Sequence, residues 1–364
     1  MGKNQDSKWK MKKVLIIDDS PLICRILEKA IISFPDFLPV GKAANGVEAL
    51  NLIEKLEPDL CTLDVNMPAM DGLSLLKKLM VRRPMPVLMV SALTKEGSKT
   101  AFEALRYGAL DFLTKPGGLW EAGGTFEKVL QDKLRRVSAV DLSAIRFITR
   151  KSLKKRPLAE ARPARSLIVG LGKEGMYTLL LRLLSFVEEV RAPQVWYLDL
   201  PEALVEAFAE YLAAECALPV KALVSGEVLR EGFLYLTSTD KWLKLEEDHE
   251  GRLIVKKSER PRNVSGEEAL DAFILEAVTL LGPRVMVIVG SGRLEKGKLG
   301  VAEVQAAGGK VIVLHRKICL YPEGPIFFAE GGRYPEVSLE TAGQLLSKWP
   351  ERGERDVSAL KGQA

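Results

Sequence analysis

Five polar residues in the first third of the chain have side chains that could together bind a metal ion and a phosphoryl group. Each lies at the end of a short apolar run: Asp18, Asp19, Asp64, Ser91 and Lys115. Crowded carboxylates repel one another unless a cation joins them, and hard oxygen ligands suit Mg²⁺. Lys115 supplies a second positive charge and Ser91 a hydrogen-bond donor for phosphoryl oxygens. The pattern predicts that Asp64 is phosphorylated beside a bound Mg²⁺.

The apolar runs that carry these residues have the pattern of strands in repeated βα units. Residues 14–17 precede a helical pattern that begins at Leu22, and residues 60–63 follow a second such unit. Short apolar strands that alternate with helices predict a parallel, doubly wound sheet. Ligands of such sheets bind beyond the carboxyl ends of the strands, which is where these polar residues collect. The first domain is therefore predicted to be α/β.

The composition indicates a protein with ordinary buried cores. The chain has 364 residues, of which 47% are hydrophobic and 28% charged, which suggests roughly two or three domains. Its four widely spaced cysteines indicate neither a disulfide framework nor a zinc site. The net charge of +5 does not itself indicate nucleic-acid binding. With no apolar stretch of the ~18 to 20 residues that span a membrane and no recognisable signal peptide, the protein is predicted to be cytoplasmic, without membrane insertion.

Around these residues the chain resembles the receiver domain of two-component response regulators. The matching motifs are Asp18-Asp19, Asp64 followed by Asn66-Met67-Pro68, Asp71-Gly72, Ser91-Ala92, and Phe112 before Lys115-Pro116. The resemblance implies a flavodoxin-like (βα)5 fold and a chemotaxis-type histidine kinase as phosphodonor. It implies four Mg²⁺ ligands, the last through its backbone carbonyl: Asp18, Asp19, Asp64 and Asn66. It also implies that Lys115 binds the phosphoryl group and that Ser91 and Phe112 shift on phosphorylation.

The sequence is predicted to divide into four segments. They are a receiver domain at 12–135, a linker at 136–165, a second α/β domain at 166–348 and a polar tail at 349–364. The stretch from Arg146 to Ser166 is basic, contains two prolines and lacks helical periodicity, which is typical of a solvated linker. Docking on an acidic partner or on nucleic acid is the alternative interpretation of its charge.

A second α/β pattern begins at Leu167, with strands at 167–170, 195–198, 285–289 and 311–314. Its first turn, residues 170–175, fits the G-x-G-x-x-G pattern of dinucleotide-binding domains. Lys173 and Glu174 crowd this turn, however, and the strand-end acid expected about 20 residues later is not in its usual place. Dinucleotide binding is therefore the weaker interpretation.

Residues 166–345 resemble the catalytic domain of the chemotaxis methylesterase, and the segments 230–236, 306–312 and 319–325 carry the likeness. That family hydrolyses glutamyl methyl esters on chemoreceptors, and often deamidates receptor glutamines, with a Ser-His-Asp triad. The resemblance implies a three-layer α/β fold, but the residues of the triad are not found at the matching positions of this chain. Gly172 stands in place of the serine and Asp199 in place of the histidine. The loop that carries the aspartate in that family corresponds to Gly290–Gly297, which contains no aspartate.

Ester hydrolysis needs a nucleophile beside a base, and Gly172 has no side chain to attack with. A solvated aspartate, with a pKa near ~3.9, is a weak base at neutral pH, so Asp199 cannot replace a histidine. The prediction is a phosphorylation-controlled regulator that binds a chemoreceptor or signalling-complex protein, with no nucleic-acid partner. Two alternatives remain open: an active methylesterase, with a rebuilt Ser291/His315 site, and a DNA-binding regulator that uses the basic stretch as a contact arm.

Overall fold

The structure, a computed structural model, shows two compact units, one within residues 1–147 and the other within 148–364. It describes residues 11–91, 95–116, 125–140, 164–216, 218–259, 266–294 and 298–350. Most of the predicted linker, 141–163, and residues 351–364 of the predicted tail lie outside these ranges. Among the described helices, none combines the length and the apolar character needed to cross a bilayer.

The first unit is a five-stranded parallel sheet with α-helices packed against it. Its strands are β1 (Lys12–Ile17), β2 (Phe37–Ala43), β3 (Leu60–Leu63), β4 (Val87–Ser91) and β5 (Asp111–Thr114). Its helices are α1 (Pro21–Ile32), α2 (Gly46–Leu56), α3 (Gly72–Arg82), α4 (Lys95–Arg106) and α5 (Thr125–Ala139). The strand order is β2-β1-β3-β4-β5. The predicted α/β architecture of this unit is confirmed.

Polar side chains cap the first residues of three of these helices. Ser20 Oγ accepts a hydrogen bond from the amide of Ile23 in α1, and Asn45 Oδ1 accepts one from Val47 in α2. Asp71 caps α3 in the same way. These caps pair amides that have no partner within the helix, which stabilises each helix start. The turns after β1 and β2 are therefore short, whereas residues 64–71, which include Asp64 and Asn66, connect β3 to α3.

The core between α1, α5 and the sheet extends beyond the predicted end of the first domain. Leu27, Ile31, Leu130 and Val137 are all essentially fully buried in this core. Because Val137 packs there, α5 continues past residue 135 and ends at Ala139. The first few residues assigned to the linker thus belong structurally to the first unit.

The second unit contains two sheets and six α-helices in its described part. Its strands are β6 (Leu167–Leu171), β7 (Gln194–Leu198), β8 (Val220–Ala222), β9 (Glu227–Val228), β10 (Leu234–Ser238), β11 (Leu243–Glu247), β12 (Leu253–Lys257), β13 (Val285–Val289), β14 (Lys310–Leu314) and β15 (Glu336–Val337). Its helices are α6 (Met176–Leu184), α7 (Glu202–Glu215), α8 (Gly266–Leu281), α9 (Lys298–Ala306), α10 (Glu323–Ala329) and α11 (Leu339–Lys348).

The large sheet of this unit is parallel, with the order β15-β14-β13-β6-β7-β10-β8. Its central strands β6 and β13 are buried along their whole length, as expected for parallel strands covered on both faces. A smaller antiparallel sheet has the order β11-β12-β9. The sequence reading did not predict β8, β9, β11 and β15, because three of them have only two or three residues and β11 carries three charges in five residues.

The end of the second unit differs slightly from the predicted tail. Trp349, assigned to the tail, is 3% exposed and directly follows α11. An indole buried to this extent contributes to the core of a domain. The folded part of the second unit therefore includes Trp349.

Candidate functional site

Three carboxylates of the first unit meet where the neighbouring strands β1 and β3 end. Asp18 and Asp64 are 2% and 3% exposed, and Asp19 beside them is exposed. One carboxylate oxygen from each lies within 4.8 Å of the others. The amide of Asp64 donates to the carbonyl of Ile17 at 2.8 Å, which continues the pairing of β1 and β3 beyond the strands. The structure thus brings together the three acids that the sequence singled out.

Lys115 reaches this carboxylate cluster from β5, two strands away from β3. Its Nζ lies 2.9 Å from Asp18 Oδ2 and 2.9 Å from Asp64 Oδ2. Burial raises the pKa of Asp64, and the hydrogen bond and charge of Lys115 offset this only in part. Burial alone would lower the pKa of Lys115, but hydrogen bonds to Asp18 and Asp64 raise it above its usual value. Lys115 therefore remains a cation in direct contact with both buried carboxylates.

The two predicted switch residues lie on β4 and on β5, the strand that Lys115 follows. Ser91 is 6% exposed at the carboxyl end of β4, and its carbonyl accepts a hydrogen bond from the amide of Lys115 at 2.9 Å. Phe112 is half-buried in β5, and its ring meets Phe102 of α4 edge to face, with centroids 6.0 Å apart. Phe112 thus connects the strand that precedes Lys115 with α4.

The side chains at this site fit Mg²⁺ by their chemistry. Asp18, Asp19 and Asp64 provide an all-oxygen donor set, which this ion prefers over nitrogen or sulfur ligands. Asp19 is exposed, as is Asn66 two residues after Asp64. The cluster is therefore accessible to solvent on one side, which suits an ion that usually keeps several water ligands.

Gly72, the first residue of α3, permits a close approach to the backbone of Asp64. A Cβ atom on Gly72 would lie 1.9 Å from the carbonyl oxygen of Asp64, and the Gly72 amide donates to the carbonyl of Val65 at 2.9 Å. The Asp71-Gly72 motif in the sequence does not by itself indicate a role for Gly72. Its role is steric, because the start of α3 packs directly on the backbone of residues 64–65.

In the second unit, the three positions that the sequence resemblance compares with the triad follow the adjacent strands β13, β6 and β7. Gly172 follows β6, and Asp199, an exposed residue, follows β7. Of the loop Gly290–Gly297, residues 290–294 are described, and they contain no carboxylate. The amides of Lys173, in the G-x-G-x-x-G turn, and of Met176, the first residue of α6, donate to Ser291 O and Lys173 O, so these two donors are not available to a pyrophosphate.

The alternative Ser291/His315 pair gains no support from the structure. Ser291 is 0% exposed, and its Oγ donates to the carbonyl of Glu174 at 2.9 Å and accepts from the amide of Tyr321 at 3.0 Å. His315 Nδ1 accepts a hydrogen bond from the amide of Lys317 at 3.2 Å. Within the described part of the second unit no hydrogen bond joins Ser291 to His315. Both side chains hold turns in place.

An ion pair that the sequence reading did not identify joins the turns after β6 and β13. The carboxylate of Glu174 accepts hydrogen bonds from the backbone amide, Nε and Nη2 of Arg293, at 3.0, 2.9 and 2.7 Å. Burial alone would raise the pKa of Glu174, but the hydrogen bonds from Arg293 hold it below its usual value. We call this pair the Glu174–Arg293 clasp. The two residues lie 119 positions apart, so no local pattern could have indicated their contact.

Replacement of Glu174 with glutamine is expected to lower the free energy of unfolding of the second unit by about 1.5–3 kcal/mol at pH 7, the range for hydrogen bonds to a charged group. The pKa of the Glu174 carboxyl is lower in the folded protein than in the unfolded chain, where it is near ~4.3. Its charge therefore stabilises the fold at every pH above the unfolded pKa, and this contribution is lost as the pH falls through the folded pKa. Urea unfolding at several pH values should show a difference between the two proteins that is constant above about pH 5 and shrinks in acid.

Glu206→Gln, on an exposed position of α7, is the matched control and should leave the unfolding curve unchanged within about 0.5 kcal/mol. A Glu174→Gln effect of the same size at pH 7 and in acid would show that the charge of Glu174 does not contribute.

Comparisons with known proteins assign a family to each unit. Residues 14–121 match the response regulator receiver domain, and residues 168–341 match the CheB methylesterase family. These two matches cover both described units.

Similar proteins span nearly the whole chain. The protein-glutamate methylesterase/protein-glutamine glutaminase of Pyrococcus horikoshii is 31% identical over 96% of this chain and 95% of its own length. The enzyme of the same name from Thermotoga maritima is 31% identical over 85% of this chain and 89% of its own. The crystal structure of the response regulator domain of Thermotoga maritima CheB is 41% identical, with a TM-score of 0.33, over 36% of this chain and 99% of that one.

Proposed function

The chain belongs to the family of proteins that join a response regulator receiver domain to a CheB methylesterase domain, and on this basis we propose that it is a phosphorylation-controlled regulator whose second domain acts by binding. Asp64 is the proposed phosphoacceptor. The observation that carries this proposal is the direct contact of Lys115 with Asp64 and Asp18, beside the third carboxylate, Asp19.

In the proposed reaction, a carboxylate oxygen of Asp64 forms a bond to phosphorus while the bond from phosphorus to the nitrogen of a phosphohistidine breaks. Lys115 is already held at this site by two carboxylates, so it can bind a phosphoryl oxygen without a large movement. The ammonium also compensates the negative charge that accumulates as the phosphoryl group arrives.

The proposed Mg²⁺ ligands are Asp18, Asp19, Asp64 and the backbone carbonyl of Asn66. When bound, the ion would neutralise the negative charge that carboxylates and phosphoryl oxygens bring together. Asp18 is positioned for this role by its own contacts, since its Oδ1 accepts from the amide of Ser20 at 2.9 Å and its carbonyl accepts from Cys24 Sγ at 3.2 Å.

The proposed response to phosphorylation involves Ser91 and Phe112. A hydroxyl at the end of β4 can turn toward the phosphoryl oxygens, and this would vacate space beside β5 into which Phe112 can repack. Because Phe112 contacts Phe102, such repacking would also change the surface near α4. We propose that this change alters the affinity of the protein for a chemoreceptor or a signalling-complex protein, and that a chemotaxis-type histidine kinase in the cytoplasm is the phosphodonor.

The second domain is proposed to bind rather than hydrolyse because the described residues at the ends of β6, β7 and β13 do not pair an available nucleophile with a base. Gly172 lacks a side chain, Asp199 is a solvated carboxylate, and Ser291 is fully buried with its hydroxyl engaged. Acyl transfer requires a nucleophile within hydrogen-bond reach of a base. None of these three residues supplies that arrangement.

Incubation of the protein with a methyl-esterified chemoreceptor is expected to release no methanol above a protein-free control. Addition of acetyl phosphate and Mg²⁺ should not change this, because phosphorylation cannot supply the missing nucleophile. The Thermotoga maritima relative serves as the positive control for the assay. Methanol release that increases with phosphodonor and disappears in the Asp64→Asn protein would contradict binding without hydrolysis.

A second candidate function is an active methylesterase, which the names of the relatives favour, since they are protein-glutamate methylesterases/protein-glutamine glutaminases. This activity would require a nucleophile at another position, because Gly172 has no side chain. Ser291→Ala tests the rebuilt site within the same assay, because loss of methanol release in that variant alone would assign the activity to Ser291.

A further inference from the structure

One methionine side chain fills the space between the turns that follow β6 and β13. A Cβ atom built on Gly172 would lie 2.4 Å from Met176 Sδ, and one built on Gly290 would also lie 2.4 Å from this sulfur. Two positions that directly follow adjacent strands therefore face the same thioether. Real Cβ atoms do not approach neighbours this closely, so neither position accepts a side chain while Met176 keeps its place.

The position of Met176 is fixed by its surroundings. Its side chain is 0% exposed, and its amide donates to the carbonyl of Lys173 at 3.1 Å as α6 begins. Two backbone hydrogen bonds hold the flanking turns together, from Gly290 N to Leu171 O at 2.8 Å and from Lys173 N to Ser291 O at 2.9 Å. The Glu174–Arg293 clasp joins the same two turns. The space that Met176 fills is thus enclosed by the ends of two adjacent strands.

An ester side chain that reacted here would have to enter this space. A nucleophile at position 172 and a partner at the β13 turn would both have to lie within about 3 Å of reacting or hydrogen-bonded atoms. We infer that Met176 is the residue that closes this site to glutamyl methyl ester and glutamine side chains, an inference that rests on the proposed function. Met176 would prevent ester hydrolysis independently of the missing serine, because a serine at position 172 would collide with the Met176 thioether.

The full-length Met176→Ala protein tests this inference with N-acetylglutamate γ-methyl ester as the probe. Truncation to alanine opens an apolar cavity at the strand ends. The probe is expected to raise the unfolding temperature of Met176→Ala as its concentration increases, and to leave that of the wild type unchanged. Met286→Ala, which opens a cavity at a fully buried methionine within β13, is the matched control and should show no such shift. Equal shifts in wild type and Met176→Ala, or none in either, would overturn the inference.

A double-mutant comparison provides a test that does not depend on binding. Gly172→Ala is expected to lower the unfolding temperature strongly in the wild type and much less in the Met176→Ala background, because the alanine leaves room for the new Cβ. Gly170→Ala is the control, since its Cβ would meet the Trp196 ring at 2.0 Å and its cost should be the same in both backgrounds. Equal costs of Gly172→Ala in both backgrounds would refute the role of Met176. If Gly172→Ala alone does not fold, recovery of folded protein in the double variant replaces this readout, and absence of recovery counts against the inference.

These measurements separate this inference from the proposed function. Methanol release by the wild type would refute binding without hydrolysis, and it would also show that the site admits an ester, so both would fail. No methanol release together with additive effects of Gly172→Ala and Met176→Ala would refute the role of Met176 alone.

Discussion

The Asp64→Asn protein is expected to incorporate no phosphate from acetyl phosphate and Mg²⁺, under conditions that label the wild type. An amide nitrogen or oxygen at this position cannot act as the carboxylate nucleophile, while the nearly identical shape of asparagine preserves the packing of a residue that is 3% exposed. We expect labelling to fall at least about 100-fold, which corresponds to about 2.7 kcal/mol of transition-state stabilisation. Intact mass measurement or radiolabelling of the full chain provides the readout.

Asp36→Asn is the matched control for the phosphoacceptor. Asp36 lies in the same unit, its side chain is 39% exposed, and it pairs with Arg135 at the surface. This variant should be labelled as fast as the wild type. Equal labelling of wild type and Asp64→Asn would show that another residue accepts the phosphoryl group.

Gly72→Ala is expected to be the most damaging single methyl addition in the first unit, with a loss of about 3 kcal/mol in the free energy of unfolding. The new Cβ would lie 1.9 Å from the carbonyl oxygen of Asp64. Because that obstacle is backbone, relief requires movement of α3 or of the segment that carries the phosphoacceptor. Urea unfolding measures the loss, and slower labelling of Asp64 should accompany it because its backbone is displaced.

Gly46→Ala offers a closely matched control, since Gly46 is the first residue of α2 as Gly72 is of α3. Its added Cβ would meet the side chain of Met70 at 2.7 Å, and this thioether can move aside because Met70, unlike Met176, is only half-buried. A cost below about 1 kcal/mol is expected for Gly46→Ala. Comparable costs for the two variants would mean that the contact with the Asp64 carbonyl is not the cause of the damage.

The residues at the carboxyl ends of strands were predictable because chain order and strand order determine where they meet. Asp18, Asp64 and Lys115 each follow a short apolar run, and parallel strands bring such residues to one end of the sheet. In the second unit, Gly172, Asp199 and Gly290 likewise follow the adjacent strands β6, β7 and β13. Strands that alternate regularly with helices can be recognised in a single sequence, because each has its own spacing of apolar residues.

The features that escaped prediction depend on contacts between residues far apart in the chain. Glu174 and Arg293 have no periodic relation, and Met176 looks in the sequence like an ordinary first residue of an apolar helix. Its position over both Gly172 and Gly290 depends on the three-dimensional path of two turns. Packing of this kind follows from the folded shape and leaves no signal in residue spacing.

The equal distances from Lys115 to Asp18 and Asp64 have a consequence for the resting state of the receiver. One ammonium serves as the counter-ion of two buried carboxylates, so the charge of both is compensated in the unmodified site. A phosphoryl group on Asp64 would bring further oxygens within reach of Lys115, and the lysine could bind them while it keeps its contact with Asp18.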